Sequence, residues 1–361
     1  MKAAILLPVL AGKDAVGNDA LMMARLLRER GIDTRVFCGT AVGVDEPHYP
    51  IAGLPAFAGG PDDLVIYHFS VGWQPALDLL RRVRGYRVVR YHNITPARFF
   101  APYSPEHEAA CAAGRAQIAA VAQCGAELYL GASQYNLDEL VAHGAPAERG
   151  AVLAPFHRVE HLLDAEADLG LLDQLGDGSH NVLMVGRVAP NKGHVALVDA
   201  FAAFVDGWGD PARLLIVGKS DPSLRGYTDR IHARVAEHRL GDRVQWLESV
   251  SEAQLKAAYL ASHAFITLSE HEGFCVPLIE AMALGIPVVA HGSSAIPETA
   301  GDGAIVWDET DPWLYAASLA RLREDAHCRN GLRDLARRRF DAVFATAVMR
   351  ERFFALLGGV L

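Results

Sequence analysis

Two carboxylates, Glu272 and Glu280, carry the most informative chemistry in this sequence. They lie in the run Ser269-Glu270-His271-Glu272-Gly273-Phe274-Cys275-Val276-Pro277-Leu278-Ile279-Glu280-Ala281-Met282. The apolar stretch Ala264–Leu268 predicts a buried strand, so Glu272 falls just past a strand end. Gly273 permits a tight turn and close approach to a ligand, and Pro277 suits the first turn of a following helix. The free N–H groups of such a helix start favour an anion. Glu280 lies about one turn inside, so loop and helix present two carboxylates to one ligand. Carboxylates accept hydrogen bonds from the vicinal hydroxyls of a ribose or a pyranose. Ordinary solvated glutamates are the bland alternative. It fits less well, because Gly273, Pro277, Gly285 and Pro287 frame the pair between two strand patterns.

A second constellation, Val185-Gly186-Arg187-Val188-Ala189-Pro190-Asn191-Lys192-Gly193-His194, follows the strand pattern Asn181–Val185 and precedes a helical pattern from His194 to Phe204. Arg187 offers a planar fork and Lys192 a point charge for phosphate oxygens. Together they could neutralise a diphosphate leaving group as its charge develops. By itself a solvated loop explains this pattern equally well. Beside the two-glutamate segment, phosphate binding is the better reading.

The elements that must position these residues repeat along the chain. Ala3–Leu7, Thr34–Phe37, Leu64–His68, Arg87–His92 and Leu128–Gly131 are expected strands of a parallel sheet, alternating with amphipathic stretches such as Asp19–Arg30 and Glu106–Gln123. The pattern restarts with Asn181–Val185, Arg213–Val217, Arg243–Leu247, Ala264–Leu268, Pro287–Ala290 and Ala304–Trp307. Ser251 with Gln254 forms an expected capping box opening a helix at Glu252. The segment Asn330 to Leu361 is expected to be helical, with a basic stretch at Arg337-Arg338-Arg339. The expected fold is an α/β chain of two Rossmann-like, doubly wound parallel-sheet domains facing a central cleft. Expected bounds are an N-terminal acceptor-binding domain over 1–165, a polar hinge over 166–180 and a donor-binding domain over 181–341. The helix at about 342–361 is expected to pack back on the first domain.

In these motifs the chain resembles the retaining GT-B glycosyltransferases of family 4, most strongly from Asn181 to Ala300. The resemblance implies that Glu272 meets the hydroxyls of a donor sugar and Glu280 the nucleotide ribose. It implies that Arg187 and Lys192 hold the diphosphate, and that Gly186, Gly273, Phe274, Cys275 and Val276 shape the donor site. Ser249-Val250-Ser251 matches the place where backbone groups meet the base, which puts Val250 there. Cys275 stands where the family more often has glycine. In the first half, the loop Asp14-Ala15-Val16-Gly17-Asn18-Asp19 matches a glycine-containing loop near the diphosphate, which assigns Gly17. His92, in Tyr91-His92-Asn93-Ile94-Thr95, matches a histidine on the acceptor side of the reaction centre. His68, at another strand end, is read as structural.

The resemblance implies a hexosyltransferase using a nucleotide-diphosphate sugar and needing no metal or other cofactor. The sequence contains no Asp-x-Asp to bridge one and no G-x-G-x-x-G. The acceptor would be a saccharide or lipid-linked saccharide of cell-envelope polysaccharide synthesis. The mechanism expected is front-face attack with retention, the leaving phosphate accepting the acceptor's proton. A nucleotide-sugar 2-epimerase and a non-catalytic sugar-nucleotide binding subunit are the competing readings, separated by turnover without and with acceptor.

Composition limits the rest. A chain of 361 residues, 51% hydrophobic and 21% charged, suits two globular domains. A net charge of -9 disfavours a general nucleic-acid binder. Five scattered cysteines (Cys38, Cys111, Cys124, Cys275, Cys328) fit a reducing compartment, and the Met1–Leu7 apolar stretch, followed by Pro8 and the loop Ala11-Gly12-Lys13-Asp14, fits a strand better than a signal peptide. A cytoplasmic protein is expected. Arg81, Arg82, Arg84, Arg87 and Arg90, with Phe99, Phe100 and Tyr103 nearby, leave a minority reading of peripheral contact with the inner membrane; a solvated helix end is the usual explanation.

Overall fold

The computed structural model describes residues 1–12, 14–209 and 211–360. Lys13 of the Ala11–Asp14 loop and Leu361 of the last helical segment lie outside the described residues. The chain divides into two compact units. The first comprises Met1–Arg98, Glu106–Arg158 and Thr346–Leu361, and the second Phe99–Pro105 and Val159–Ala345.

The first unit holds a parallel sheet of β1 (Lys2–Ala11), β2 (Asp33–Val42), β3 (His48–Pro50), β4 (Leu64–Phe69), β5 (Tyr86–Tyr91), β6 (Leu128–Gly131) and β7 (Gly150–Val152), in the order β3-β2-β1-β4-β5-β6-β7. All six residues of β4 are buried, because helices cover both faces; this is why it appears in sequence as an unbroken apolar run. The helix Ala15–Glu29 turns Ala20, Met23, Ala24 and Leu27 onto one face of this sheet. The helix Thr346–Leu357 buries Met349, Phe353 and Leu357 in the same core, with Phe353 edge-on to Phe156 at 5.8 Å. Each such buried side chain contributes about 1.5–3 kcal/mol.

The second unit has β8 (His180–Val185), β9 (Ala212–Val217), β10 (Val244–Leu247), β11 (Ala264–Thr267), β12 (Val288–His291) and β13 (Ala304–Trp307), all parallel, in the order β10-β9-β8-β11-β12-β13. Leu197, Phe201 and Phe204 of the helix His194–Trp208 pack with Ala316 and Leu319 of Pro312–Glu324 to build its core. Both sheets are doubly wound, as the alternation of strand and helix patterns requires.

Several elements depart from expectation. The short edge strands β3 and β7 carry no fully buried residue, so no apolar run announces them. The expected helix Glu106–Gln123 divides at Gln117, whose side-chain oxygen instead accepts from the Trp73 amide at 2.8 Å. The polar interval expected as a hinge contains a helix, Leu169–Leu175, started by Asp168 accepting from the Leu171 amide. The expected last helix is three pieces: Ala326–Arg339, a π-helical stretch Phe340–Phe344, and Thr346–Leu357. Among the described residues, no helix is long and apolar enough to cross a membrane.

Candidate functional site

In the second unit, β8 and β11 are neighbours where the strand order reverses: β9 and β10 extend one way, β12 and β13 the other. Open parallel sheets bind ligands beyond the carboxyl ends of their strands at such a point. The two loops leaving these strands hold the residues singled out by their chemistry.

The loops are tied together through backbone. The Glu270 amide donates to the Asn191 carbonyl at 2.8 Å, and the Asn191 side-chain amide donates to the His271 carbonyl at 3.0 Å. Gly193 has φ 67°, and a Cβ there would stand 1.9 Å from the Leu268 carbonyl oxygen. Only glycine lets the two loops approach so closely. Lys192 Nζ meets Glu272 Oε1 at 2.6 Å, with side chains 15% and 9% exposed. A charge-assisted bond of this kind contributes about 1.5–3 kcal/mol. The Glu272 amide donates to Ser294 Oγ at 2.7 Å, which fixes the carboxylate's backbone. Arg187, on the same loop as Lys192, is exposed to solvent.

Glu280 sits in the helix Val276–Ala283, and Tyr259 donates its hydroxyl to Glu280 Oε2 at 2.7 Å. Burial raises the Glu280 pKa, and the Tyr259 bond offsets this in part. No side chain caps the start of this helix; Pro277 has no N–H and the Leu278 amide donates to the Cys275 carbonyl at 3.2 Å, which leaves the Val276 amide of the first turn for an anion. Cys275, immediately before it, has φ 81°, a left-handed conformation that a glycine would adopt without strain. Desolvation, then the charge of Glu272, push its thiol pKa up, so it is no nucleophile at neutral pH.

The remaining candidates divide by what they expose. Phe274 turns its ring onto Phe344 at 5.6 Å, and its carbonyl accepts from Thr299 Oγ1 at 2.8 Å. Gly273 and Val276 are half-buried beside it. Gly186 packs against Gly218, where a Cβ would stand 1.8 Å from the Gly186 oxygen. Val250 is half-buried just before Ser251, which forms the expected capping box with Gln254.

The first unit holds the other candidates. Gly17 lies inside the first turn of the helix Ala15–Glu29, its amide donating to the Asp14 side chain at 2.5 Å. His68 is next to last in β4 and His92 follows β5, and the structure brings them together: His68 Nδ1 lies 2.9 Å from His92 Nε2. Burial, followed by the charge of Arg90, lowers both imidazole pKa values well below the ordinary value. The sequence reading missed Asp19, which is fully buried and receives Arg90 Nε at 2.8 Å. It also grouped Arg90 with a surface patch. Arg90 is instead fully buried, while Arg87 pairs with Glu127 at 2.9 Å and Arg81 with Asp78 at 3.9 Å. The five arginines do not form one exposed patch. The available signal was a charged residue inside the apolar strand Val88-Val89-Arg90-Tyr91, which demands a buried partner. A cavity of about 510 Å³ in this unit, lined by Ile51, Leu54, Pro55, Leu79 and Arg84 among others, includes none of these candidates.

Residues 174–339 match the family described as Glycosyl transferases group 1. The serotype-specific mannosyltransferase WbdA of Escherichia coli is 32% identical over 41% of this chain and 18% of its own length. The D-inositol 3-phosphate glycosyltransferase of Streptomyces bingchenggensis is 29% identical over 75% of this chain and 62% of its own. The chain thus spans less than two thirds of the curated relatives it matches. Sucrose-phosphate synthase from Thermosynechococcus elongatus superposes with a TM-score of 0.76 at 19% identity, covering 100% of this chain and 99% of that one. Anabaena HepE, in complex with UDP and glucose, gives 0.72 at 18% identity, covering 99% of each chain. The fold is GT-B, and the stretch 174–339, somewhat under half of the chain, is a glycosyl transferases group 1 region.

Proposed function

We propose that the protein transfers a hexose from a nucleotide-diphosphate sugar to a hydroxyl of a saccharide or lipid-linked saccharide acceptor, with retention of configuration. The observation that carries this reading is the Lys192–Glu272 pair, formed between the loops that follow β8 and β11, the first of which also carries Arg187. A donor would separate that pair: Lys192 and Arg187 turn to the diphosphate, and Glu272 accepts hydrogen bonds from sugar hydroxyls. Glu280, held by Tyr259, takes the ribose. Arg187, Lys192 and the uncapped helix start at Val276 neutralise the leaving diphosphate, a role a metal fills elsewhere. The acceptor hydroxyl attacks from the face the diphosphate leaves, and a phosphate oxygen takes its proton. Glu272 is a hydrogen-bond acceptor here and forms no bond to the anomeric carbon. His92, with its unit, serves the acceptor side.

The mannosyltransferase relatives favour a mannose donor, and the HepE complex makes a UDP-hexose the alternative. The protein is expected to act in polysaccharide synthesis in the cytoplasm.

Thermal unfolding against GDP, UDP, ADP, dTDP and NAD, with and without magnesium, tests the donor site. Ligand at about 100 times its dissociation constant stabilises by about 2.7 kcal/mol. A shift with one diphosphate, independent of magnesium and lost in Glu280→Ala, is the expected result. A shift with NAD alone, or with none of the five, would remove the reading.

A further inference from the structure

The cluster of Asp19, His68, Arg90 and His92 joins three elements of the first unit: the helix Ala15–Glu29, β4 and β5. In the parallel register of β4 and β5, His68 stands opposite Arg90. Asp19, His68 and Arg90 are fully buried, and the His92 side chain is 6% exposed. Arg90 is bound on several sides: Nε on Asp19, Nη1 on the Gly131 carbonyl at 3.1 Å and on the Leu153 carbonyl at 2.6 Å. The other Asp19 oxygen accepts from the Phe156 amide at 2.7 Å. This leaves Asp19 Oδ2 facing both histidines, 3.7 Å from His68 Nδ1 and 3.4 Å from His92 Nε2. The imidazoles stack with centroids 5.2 Å apart and share one short contact, Nδ1 to Nε2.

Three ligand-type atoms so close together suit a cation by distance. Charge argues against one. Arg90 already balances Asp19, so a divalent ion would enter a closed site with no anion left to compensate it. The arrangement suits a proton instead. Two placements exist. With the proton on His92 Nε2, the buried His68 Nε2 must carry a hydrogen that meets no acceptor, since that atom has no partner. With the proton on His68 Nδ1, the atom left without a partner is a bare ring nitrogen, and buried N–H groups are left unpaired less often than acceptors. The same Nδ1–H then points between His92 Nε2 and the Asp19 carboxylate.

We infer that Asp19 and His68 are positioning residues that hold His92 in one neutral tautomer, its Nε2 accepting from His68 and its Nδ1–H left as a donor for an oxygen of the bound substrates. This rests on the reading of His92 as part of the transferase machinery. In that arrangement Asp19 never touches substrate; it holds the His68 proton in place, and while burial raises the Asp19 pKa, the Arg90 guanidinium and the Phe156 amide oppose that rise. His92 is neutral because a proton added to it would stand in a closed site beside the Arg90 guanidinium.

The test begins with the unaltered protein. Long-range ¹H–¹⁵N spectra of the histidine rings, with His92 assigned by difference from His92→Asn, should show His92 protonated at Nδ1 alone at pH 7. A His92 protonated at Nε2, or one zinc per chain in the purified protein, would overturn the inference. Turnover is then read as nucleoside diphosphate released by hydrolysis of GDP-mannose or UDP-glucose. His68→Leu should lower it roughly 10²-fold or more, the low end of what a positioned proton donor contributes, with diphosphate affinity unchanged. His68→Asn, whose amide can stand where Nδ1–H stood, should recover most of the loss. If His92→Ala abolishes turnover and His68→Leu does not, the positioning role fails and the transferase reading stands. If His92→Ala itself turns over normally, the role given to His92 fails first.

Discussion

His194 gives the second unit a measurable sensitivity to acid. It is fully buried at the start of the helix His194–Trp208, and neither ring nitrogen has a hydrogen-bond partner. Desolvation and then the Lys192 ammonium push its pKa down to about 3. In the unfolded chain the same group titrates near 6.5. The folded pKa is the lower one, so the unfolded state binds the extra proton. Stability from this group is therefore complete above about pH 6.5 and falls as pH drops toward 3, by about 1.4 kcal/mol per pH unit. Between pH 7 and 5 the loss comes to about 2 kcal/mol, a sizeable share of the roughly 5–15 kcal/mol that holds a domain. His180, also pushed down to about 3, acts in the same direction. The measurement is urea unfolding at pH 5, 6 and 7, followed by tryptophan fluorescence, four of whose five sources (Trp208, Trp246, Trp307 and Trp313) lie in the second unit, for the wild type and His194→Leu. The variant should lose about 2 kcal/mol less than the wild type over this range. An identical pH dependence in both proteins would refute the claim that His194 is buried neutral.

Gly193→Ala should lower the calorimetric midpoint by roughly 6–12 °C, because its Cβ would stand 1.9 Å from the Leu268 oxygen at a left-handed φ; an unchanged midpoint would show that the two loops are not in contact. Glu272→Gln should reduce turnover by roughly 10²–10³-fold with diphosphate affinity little changed, and a trapped sugar adduct on Glu272 in the wild type would replace front-face attack with double displacement. Glu280→Gln should stabilise the ligand-free protein at pH 7, because the raised folded pKa means the wild type loses stability as pH rises through it. That advantage should vanish in acid, where Glu280 is protonated in both states, and nucleoside diphosphate affinity should fall; a variant less stable at pH 7 would contradict the direction of the shift.

Much of the geometry around Glu272 was legible because it depends on short range. Gly273 and Pro277 mark a turn and a helix start wherever they stand, and Ser251 with Gln254 closes a capping box within four residues. The meeting of Lys192 with Glu272 needed more, namely that β8 and β11 be neighbours, which the parallel alternation of strands makes natural but does not specify. The Asp19–Arg90 pair was hidden because the two residues lie 71 positions apart and the arginines around Arg90 suggested a surface. Burial of charge is decided by tertiary partners, and neighbouring residues in sequence carry little information about them. The helix Leu169–Leu175 was missed because seven residues make barely two turns, short of the about 11 over which an amphipathic pattern stands out.

The path of the chain bears on how the protein is made. Residues Phe99–Pro105 belong to the second unit, where Tyr103 meets the Tyr227 ring at 5.2 Å and accepts from Arg230 at 2.7 Å. The helix Thr346–Leu357 belongs to the first, filling the core beside Phe156. Neither unit is a continuous stretch of polypeptide. During synthesis the first unit therefore begins earliest and is completed last. Until residue 357 has emerged, the core that receives Met349, Phe353 and Leu357 has apolar surface open to water. Through all the time the second unit is being translated, the nascent chain carries a sticky face that only its own late helix can cover.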